Sequence, residues 1–266
     1  MQQAEDFRAE SVALAAILED LPEAEFHRPT LFKNWTIDHV LGHLHLFNAA
    51  AEASLQGAGA FASFIEPVVK DMEKGKSILE CQFPWLDGIS GRALFDAWRE
   101  GAESCADAFA QVDPKERVKW IGPDMSALSS ITARQMETWA HGQSVFDLLG
   151  LKREEQDRVR NIAHLGVATF GWTFVNRKEE VPTPAPYVEL TGPSGAVWCW
   201  NEPQRDNAVC GHAVEFAQVV TQTRNIVDTS LQVTGNVACN WMAQAQCFAG
   251  PPVTPPAKGQ RCGDNP

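Results

Sequence analysis

Apolar side chains recur at helical intervals in four stretches of the first 150 residues. Within each stretch they return every three or four positions, which places them on one face of a helix with polar residues opposite. Four amphipathic helices in succession predict a helical bundle over residues 1–150, because each helix must bury its apolar face against the others. The stretches are residues 4–21, 37–55, 94–109 and 132–148.

Residues at the helix ends support three of these boundaries. Thr36 precedes the second stretch and is suited to cap a helix that begins at Ile37. Ser129 or Ser130 can cap the fourth helix, and Gly150 lies where a left-handed residue commonly ends a helix. The sequence therefore predicts where these two helices begin and where the fourth one ends.

The segment from Gln56 to Gly91 loses the regular spacing. Gly57, Gly59, Pro67 and Pro84 interrupt it, and proline is unfavourable inside a helix. Its many apolar residues are unusual for a solvated linker, so we expect an irregular segment that covers or lines a pocket.

The pattern changes after residue 150. A predicted helix at 154–175 is followed by alternating apolar residues at Tyr187–Thr191 and 196–200, separated by the turn 192–195, which is typical of a β-hairpin. Short strands and helices complete a small α+β domain over residues 151–250. The composition of 251–266 indicates a flexible tail. The predicted fold class is therefore mainly α with an α+β part.

The net charge and the composition restrict the kinds of molecule that this protein is expected to bind. The net charge of -12 disfavours nucleic acid and anionic membranes, which bind clustered lysine and arginine. The sequence shows neither a secretory signal at its beginning nor an apolar run long enough to span a membrane. Seven cysteines without a C-x-x-C pair are typical of reduced thiols. We expect a cytoplasmic protein that acts on a small molecule, and its oligomeric state stays open.

The fourth predicted helix carries two residues that can bind a metal together. Glu137 and His141 are four residues apart, so a carboxylate and an imidazole lie one turn apart on the same face. A third ligand is available on the second helix, where His39 and His43 have the same spacing. The residues alone permit either histidine, or both.

Two segments around these residues are similar to a known family. The segments Trp35-Thr-Ile-Asp-His-Val-Leu-Gly-His43-Leu and Arg134-Gln-Met-Glu137-Thr-Trp-Ala-His141 resemble the DinB-like metalloprotein superfamily, in its mycothiol-dependent maleylpyruvate isomerase-like branch. The similarity extends over nearly the whole chain to a group of uncharacterised metal-binding proteins. It implies a DinB-like four-helix bundle that holds a divalent metal, usually zinc, through His43, Glu137 and His141.

The resemblance also implies a reaction. Two nitrogen ligands and one carboxylate leave an open coordination position, as in catalytic zinc sites. Relatives combine such a metal with a low-molecular-weight thiol, which suggests a metal-dependent isomerase or thiol transferase for a small unsaturated or electrophilic substrate. Neither ligand segment contains a cysteine, so a nucleophile from the protein itself is not indicated.

Other assignments stay open at this stage. Arg134 lies one turn before Glu137 and can bind a substrate carboxylate, or it can form an ordinary ion pair. The protein can also be a thiol-independent hydrolase, lyase or cyclase, or a metal-containing protein that binds a small molecule without turnover.

Overall fold

The computed structural model describes residues 1–261 of the 266-residue chain. It divides into two compact units, one of residues Met1–Val145 and a second that starts at Phe146. Helices dominate the described residues, and the second unit adds a small sheet. The predicted fold class, mainly α with an α+β part, is confirmed. Among the described residues, no helix combines the length and apolar character that crossing a membrane requires.

The first unit contains the four predicted bundle helices, two further helices and a short hairpin. The helices are α1 (Gln2–Ala16), α2 (Ile37–Leu55), α3 (Ala58–Glu73), α4 (Ile78–Leu86), α5 (Gly91–Ala110) and α6 (Ala127–Leu149), and the hairpin pairs β1 (Arg117–Val118) with β2 (Met125–Ser126). Apolar side chains from α1, α2, α5 and α6 form one core, to which Phe7, Ala51, Phe109 and Ile131 belong.

The segment predicted to be irregular forms helices α3 and α4 instead. Pro67 and Pro84 lie inside these helices, although the sequence suggested that they would break the chain. Phe61 and Ile65 are buried against Phe47 of α2, and burial of such side chains contributes about 1.5–3 kcal/mol each. That gain offsets the cost of a proline, about 3 kcal/mol, so tertiary packing overrides the local signal.

Helix α4 lies close to the beginning of α2 because Gly42 has no side chain. A Cβ at Gly42 would lie 2.7 Å from Leu86 Cδ1 and 3.0 Å from Gln82 Nε2. The Gln82 amide donates a hydrogen bond of 3.1 Å to the carbonyl of His39. The unpredicted helix is therefore fixed directly over the first turns of α2.

The second unit is built around a four-stranded sheet of order β4-β3-β5-β6. The predicted hairpin is confirmed, since β3 and β4 pair antiparallel, while β5 runs parallel to β3. The predicted helix at 154–175 is broken near Thr169, whose hydroxyl donates to the carbonyl of Leu165. The elements are α7 (Val159–Ala168), α8 (Phe170–Val175), β3 (Tyr187–Thr191), β4 (Val197–Trp200), β5 (Ala208–His212), α9 (Ala213–Val220), β6 (Gln232–Thr234) and α10 (Asn236–Gln244).

The segment after residue 250 was predicted to be flexible, and the structure holds residues 251–261 by specific hydrogen bonds. The amide of Val253 donates to the Gln246 side chain at 2.9 Å, and the amide of Gly259 donates to the Asp228 carboxylate. Backbone groups that are paired in this way no longer need water, so composition alone was misleading here. Residues 262–266 of the predicted tail lie outside the described residues.

Candidate metal centre

The start of α2 is fixed by a reciprocal pair of hydrogen bonds. The amide of His39 donates to Thr36 Oγ1, and the amide of Thr36 donates to His39 Nδ1, both at 3.2 Å. This capping box satisfies two amides that the first turn of a helix leaves unpaired. The predicted cap at Thr36 is confirmed. His39 is part of this cap, because its Nδ1 accepts the hydrogen bond from the amide of Thr36.

Helix α6 begins one turn earlier than the sequence suggested. The cap is Ser126 at the end of β2, whose hydroxyl accepts a hydrogen bond of 3.1 Å from the amide of Ser129. Neither Ser129 nor Ser130 is the cap, because the preceding hairpin ends at Ser126 and the helix begins at the next residue. At the other end Gly150 has a φ of 66°, as predicted for the residue that ends this helix.

Three side chains converge where α2 faces α6. Glu137 Oε2 lies 3.5 Å from His43 Nε2 and 3.2 Å from His141 Nε2. One ligand atom from each of the three residues lies within 4.8 Å of the other two. Ligand atoms that share a tetrahedral zinc ion are roughly 3.4 Å apart, given metal–ligand distances of about 2.1 Å. The three residues therefore fit a metal without a change of the backbone.

The protonation states also suit a metal. Burial lowers the pKa of His43 to about 4, so this imidazole is neutral near pH 7 and has a free lone pair. Burial acts to raise the pKa of Glu137, but His141, His43 and the Arg134 charge together keep that pKa well below its ordinary value. Neutral imidazole and carboxylate are the forms that bind divalent metals.

Aromatic rings surround the two histidines. Trp35 stacks on His141 with ring centroids 5.6 Å apart and planes 4° apart, and Phe32 meets the same imidazole edge-on. Phe47, one turn after His43, packs on that imidazole at 4.8 Å. These contacts fix both rings and keep water from their faces. The sequence interpretation missed Phe32 and Phe47 at the site, although the spacing of Phe47 from His43 was a usable signal.

Arg134 is buried beneath the site, with 5% of its surface exposed. Its guanidinium carbon lies 5.7 Å from the centre of the Phe47 ring and 5.1 Å from that of Trp120. Burial lowers its pKa, whereas the nearby charge of Glu137 raises it. Arg134 is therefore an interior residue near the predicted ligands, not one of the exposed arginines that ordinarily pair with surface acids.

A comparison with protein families identifies the family of this chain. Residues 7–146 match the family model described as the mycothiol maleylpyruvate isomerase N-terminal domain. The chain belongs to this family. The matched range contains all three candidate ligands and Arg134, and it confirms the predicted maleylpyruvate isomerase-like branch.

Individual relatives carry the likeness further along the chain. An uncharacterised protein found in two strains of Mycobacterium tuberculosis is 35% identical over 247 residues, which span 93% of this chain and 95% of that protein. Crystal structures of the mycothiol-dependent maleylpyruvate isomerase and of one of its mutants superpose with a TM-score of 0.52 over 82% of this chain and 87% of theirs. At 16% and 15% sequence identity, this likeness shows the fold alone.

Proposed function

We propose that this protein is a metal-dependent enzyme that uses a low-molecular-weight thiol to isomerise, or to add to, a small unsaturated electrophile. The observation that carries the proposal is the convergence of His43 Nε2, His141 Nε2 and Glu137 Oε2 inside the bundle. Two nitrogens and one carboxylate are a common donor set of catalytic zinc, and three protein ligands leave a position for substrate or thiol. We therefore propose zinc as the metal.

Each component has a distinct task. A divalent metal held by the three residues would supply Lewis-acid polarisation of a substrate carbonyl and favour the thiolate form of a thiol. The stacked indole of Trp35 holds the His141 imidazole in one orientation, and Phe47 does the same for His43. These contacts hold the two imidazoles in place beside Glu137.

A soluble thiol is proposed because neither ligand segment contains a cysteine and because Cys105, the cysteine influenced by Arg134, is a poor candidate for the nucleophile. Cys105 is fully buried, and burial raises the pKa of its thiol far above neutrality. The charge of Arg134 acts in the opposite direction but is a smaller effect. A thiol in that state is inert. The relatives of known structure are named for their dependence on mycothiol, so mycothiol is the thiol to test.

The test is turnover by zinc-loaded protein with mycothiol and maleylpyruvate, measured as formation of the trans isomer. We expect isomerisation that requires the thiol and is lost in His43→Ala and Glu137→Gln. His39→Ala is the matched control, since it removes a histidine one turn away that belongs to the cap of α2 and packs on Phe83.

Two results would contradict this proposal. Turnover that proceeds equally well without a thiol would indicate a hydrolase, lyase or cyclase. Saturable binding without a product, in a wider screen of thiols and unsaturated electrophiles, would indicate a binding protein.

A further inference from the structure

One side of α6 carries four buried or partly buried polar residues, of which the proposed metal uses two. At about 100° per residue, Arg134, Glu137, Thr138 and His141 lie within roughly 100° of arc. Glu137 and His141 are the candidate ligands, whereas Arg134 and Thr138 have 5% and 0% of their surfaces exposed. A polar arc of this kind inside a bundle needs partners for its hydrogen-bonding groups.

The two remaining residues lack those partners. Within residues 1–261, Nε and Nη1 of Arg134 and Oγ1 of Thr138 are buried without a hydrogen-bond partner. Buried hydrogen-bonding groups in native proteins are almost always satisfied. Unsatisfied donors beside a proposed active site indicate a ligand that supplies the acceptors.

The surroundings of Arg134 favour a planar anion. The rings of Phe47 and Trp120 both lie within 5.7 Å of the guanidinium carbon, and Phe61 stacks on Trp120. These aromatic contacts fix the guanidinium, which donates hydrogen bonds in its own plane. A carboxylate matches that planar arrangement of donors with two parallel hydrogen bonds.

The charge balance points the same way. Arg134 and Glu137 together are neutral, so a divalent cation on Glu137 would leave two positive charges in this part of the bundle. Such a site favours an anionic ligand. Phe47 contacts both the guanidinium of Arg134 and the imidazole of His43, so an anion on Arg134 would lie next to the proposed metal.

We propose that Arg134, assisted by Thr138, is the anion-binding residue of this site and selects substrates that carry a carboxylate. The inference rests on the proposed function for the reaction and adds the substrate class. Anion binding requires neither thiol nor turnover, so the two proposals can fail separately.

The experiment compares maleate with its uncharged diamide as probes of the purified, zinc-loaded protein. Calorimetric titration and thermal unfolding are recorded without any thiol for the wild type, Arg134→Met, Arg134→Lys and Thr138→Val. Arg99→Met is the control, because Arg99 pairs with Glu19 and Asp96 at the surface.

We expect maleate, and not the diamide, to bind the wild type and raise its melting temperature. Arg134→Met should weaken binding by roughly tenfold to a hundredfold, as loss of a charge-assisted hydrogen bond does. Arg134→Lys should fold and bind more weakly than the wild type, since a point charge replaces the planar donors. Thr138→Val should weaken binding less than Arg134→Met, and Arg99→Met should bind as the wild type does.

The melting temperatures of the variants without maleate distinguish an anion-binding role of Arg134 from a role in packing. In the zinc-loaded protein Arg134→Met should melt no lower than the wild type, because it removes a buried cation whose Nε and Nη1 donate no hydrogen bond within the described residues, while the metal would balance the charge of Glu137. A lower melting temperature for Arg134→Met combined with unchanged maleate binding by Arg134→Lys would show that Arg134 is a packing residue. Binding that survives in Arg134→Met and disappears in His43→Ala would place the anion on the metal alone. Either result, or no binding to the wild type, overturns the proposal.

Discussion

At the scale of single residues, the two histidines on α2 show how position decides the role of a side chain. His39 and His43 are one turn apart and equally able to bind a metal. His39 lies three residues after the cap Thr36, where its Nδ1 accepts a backbone hydrogen bond. His43, one turn further along the helix, is not part of the cap, and its Nε2 lies 3.5 Å from Glu137 Oε2. The helix start therefore separates a capping residue from a candidate ligand.

Elemental analysis of matched variants tests this separation. Protein purified without added metal should contain about one equivalent of zinc or a similar metal in the wild type and in His39→Ala, and much less in His43→Ala and Glu137→Ala. The loss of one of three ligands removes most of the affinity of such a site. Equal metal content in His39→Ala and His43→Ala would contradict the assignment of His43.

The cap also predicts a dependence of stability on pH. Burial lowers the pKa of His39 below 6.5, so the native state binds fewer protons than the unfolded state in this range. The stabilisation is therefore present above pH 6.5 and is lost as the pH falls through the lowered value. A protonated imidazole cannot accept the hydrogen bond from Thr36, and loss of a cap costs about 1 kcal/mol.

His39→Gln is the matched variant, because glutamine is a common third residue of the capping box and does not titrate. Urea unfolding at several pH values should show the free-energy difference between wild type and His39→Gln changing in favour of the variant as the pH falls. A difference that stays constant with pH would show that the His39 cap is not the titrating group.

At the scale of elements, two glycines with almost the same backbone angle distinguish two causes of strain. Gly235, just before α10, has a φ of 89°, and Gly195, in the turn between β3 and β4, has a φ of 87°. A Cβ at Gly235 would lie 2.1 Å from the carbonyl oxygen of Asp206, whereas a Cβ at Gly195 meets no atom within 4 Å. Both positions disfavour a side chain, but only Gly235 permits close contact between two backbone segments.

We expect Gly195→Ala to cost about 1–2 kcal/mol for the left-handed backbone alone. Gly235→Ala should cost about 1–3 kcal/mol more, because the Asp206 backbone has to move. Chemical denaturation of both variants measures the difference. Equal losses would show that the approach of the Asp206 backbone to Gly235 is not tight.

At the scale of the whole molecule, the candidate ligands join two helices that are far apart in sequence. Helix α2 contributes His43, and α6 contributes Glu137 and His141. The unfolded chain does not hold these residues together, so a metal that binds them stabilises the native state. Metal binding and folding of the bundle should therefore be coupled.

Zinc at roughly 100 times its dissociation constant should raise the free energy of unfolding by about 2.7 kcal/mol. Hydrogen exchange should show the added protection in peptides from α2 and α6, because these helices carry the ligands. The His43→Ala variant should show neither effect, and zinc protection that persists in it would place the metal elsewhere.

Features that depend on neighbouring residues could be predicted from the amino-acid sequence. Helical spacing predicted α2 with its bounds, Thr36 and Gly150 were recognised at helix ends, and alternation predicted the hairpin of β3 and β4. The pairing of Glu137 with His141 also follows from spacing along one helix. Caps, helical faces and hairpin turns involve residues a few positions apart, so these interactions are visible in the sequence.

Features that depend on contacts between distant residues could not be predicted in this way. Packing against α2 made helices of a segment that contains Pro67 and Pro84, and hydrogen bonds to other segments held residues 251–261. The burial of Arg134 beside the rings of Phe47 and Trp120 has no local signal either. The physical reason is that burial energy and long-range hydrogen bonds arise from residues that the fold brings together, and their sum exceeds the local preferences of the chain.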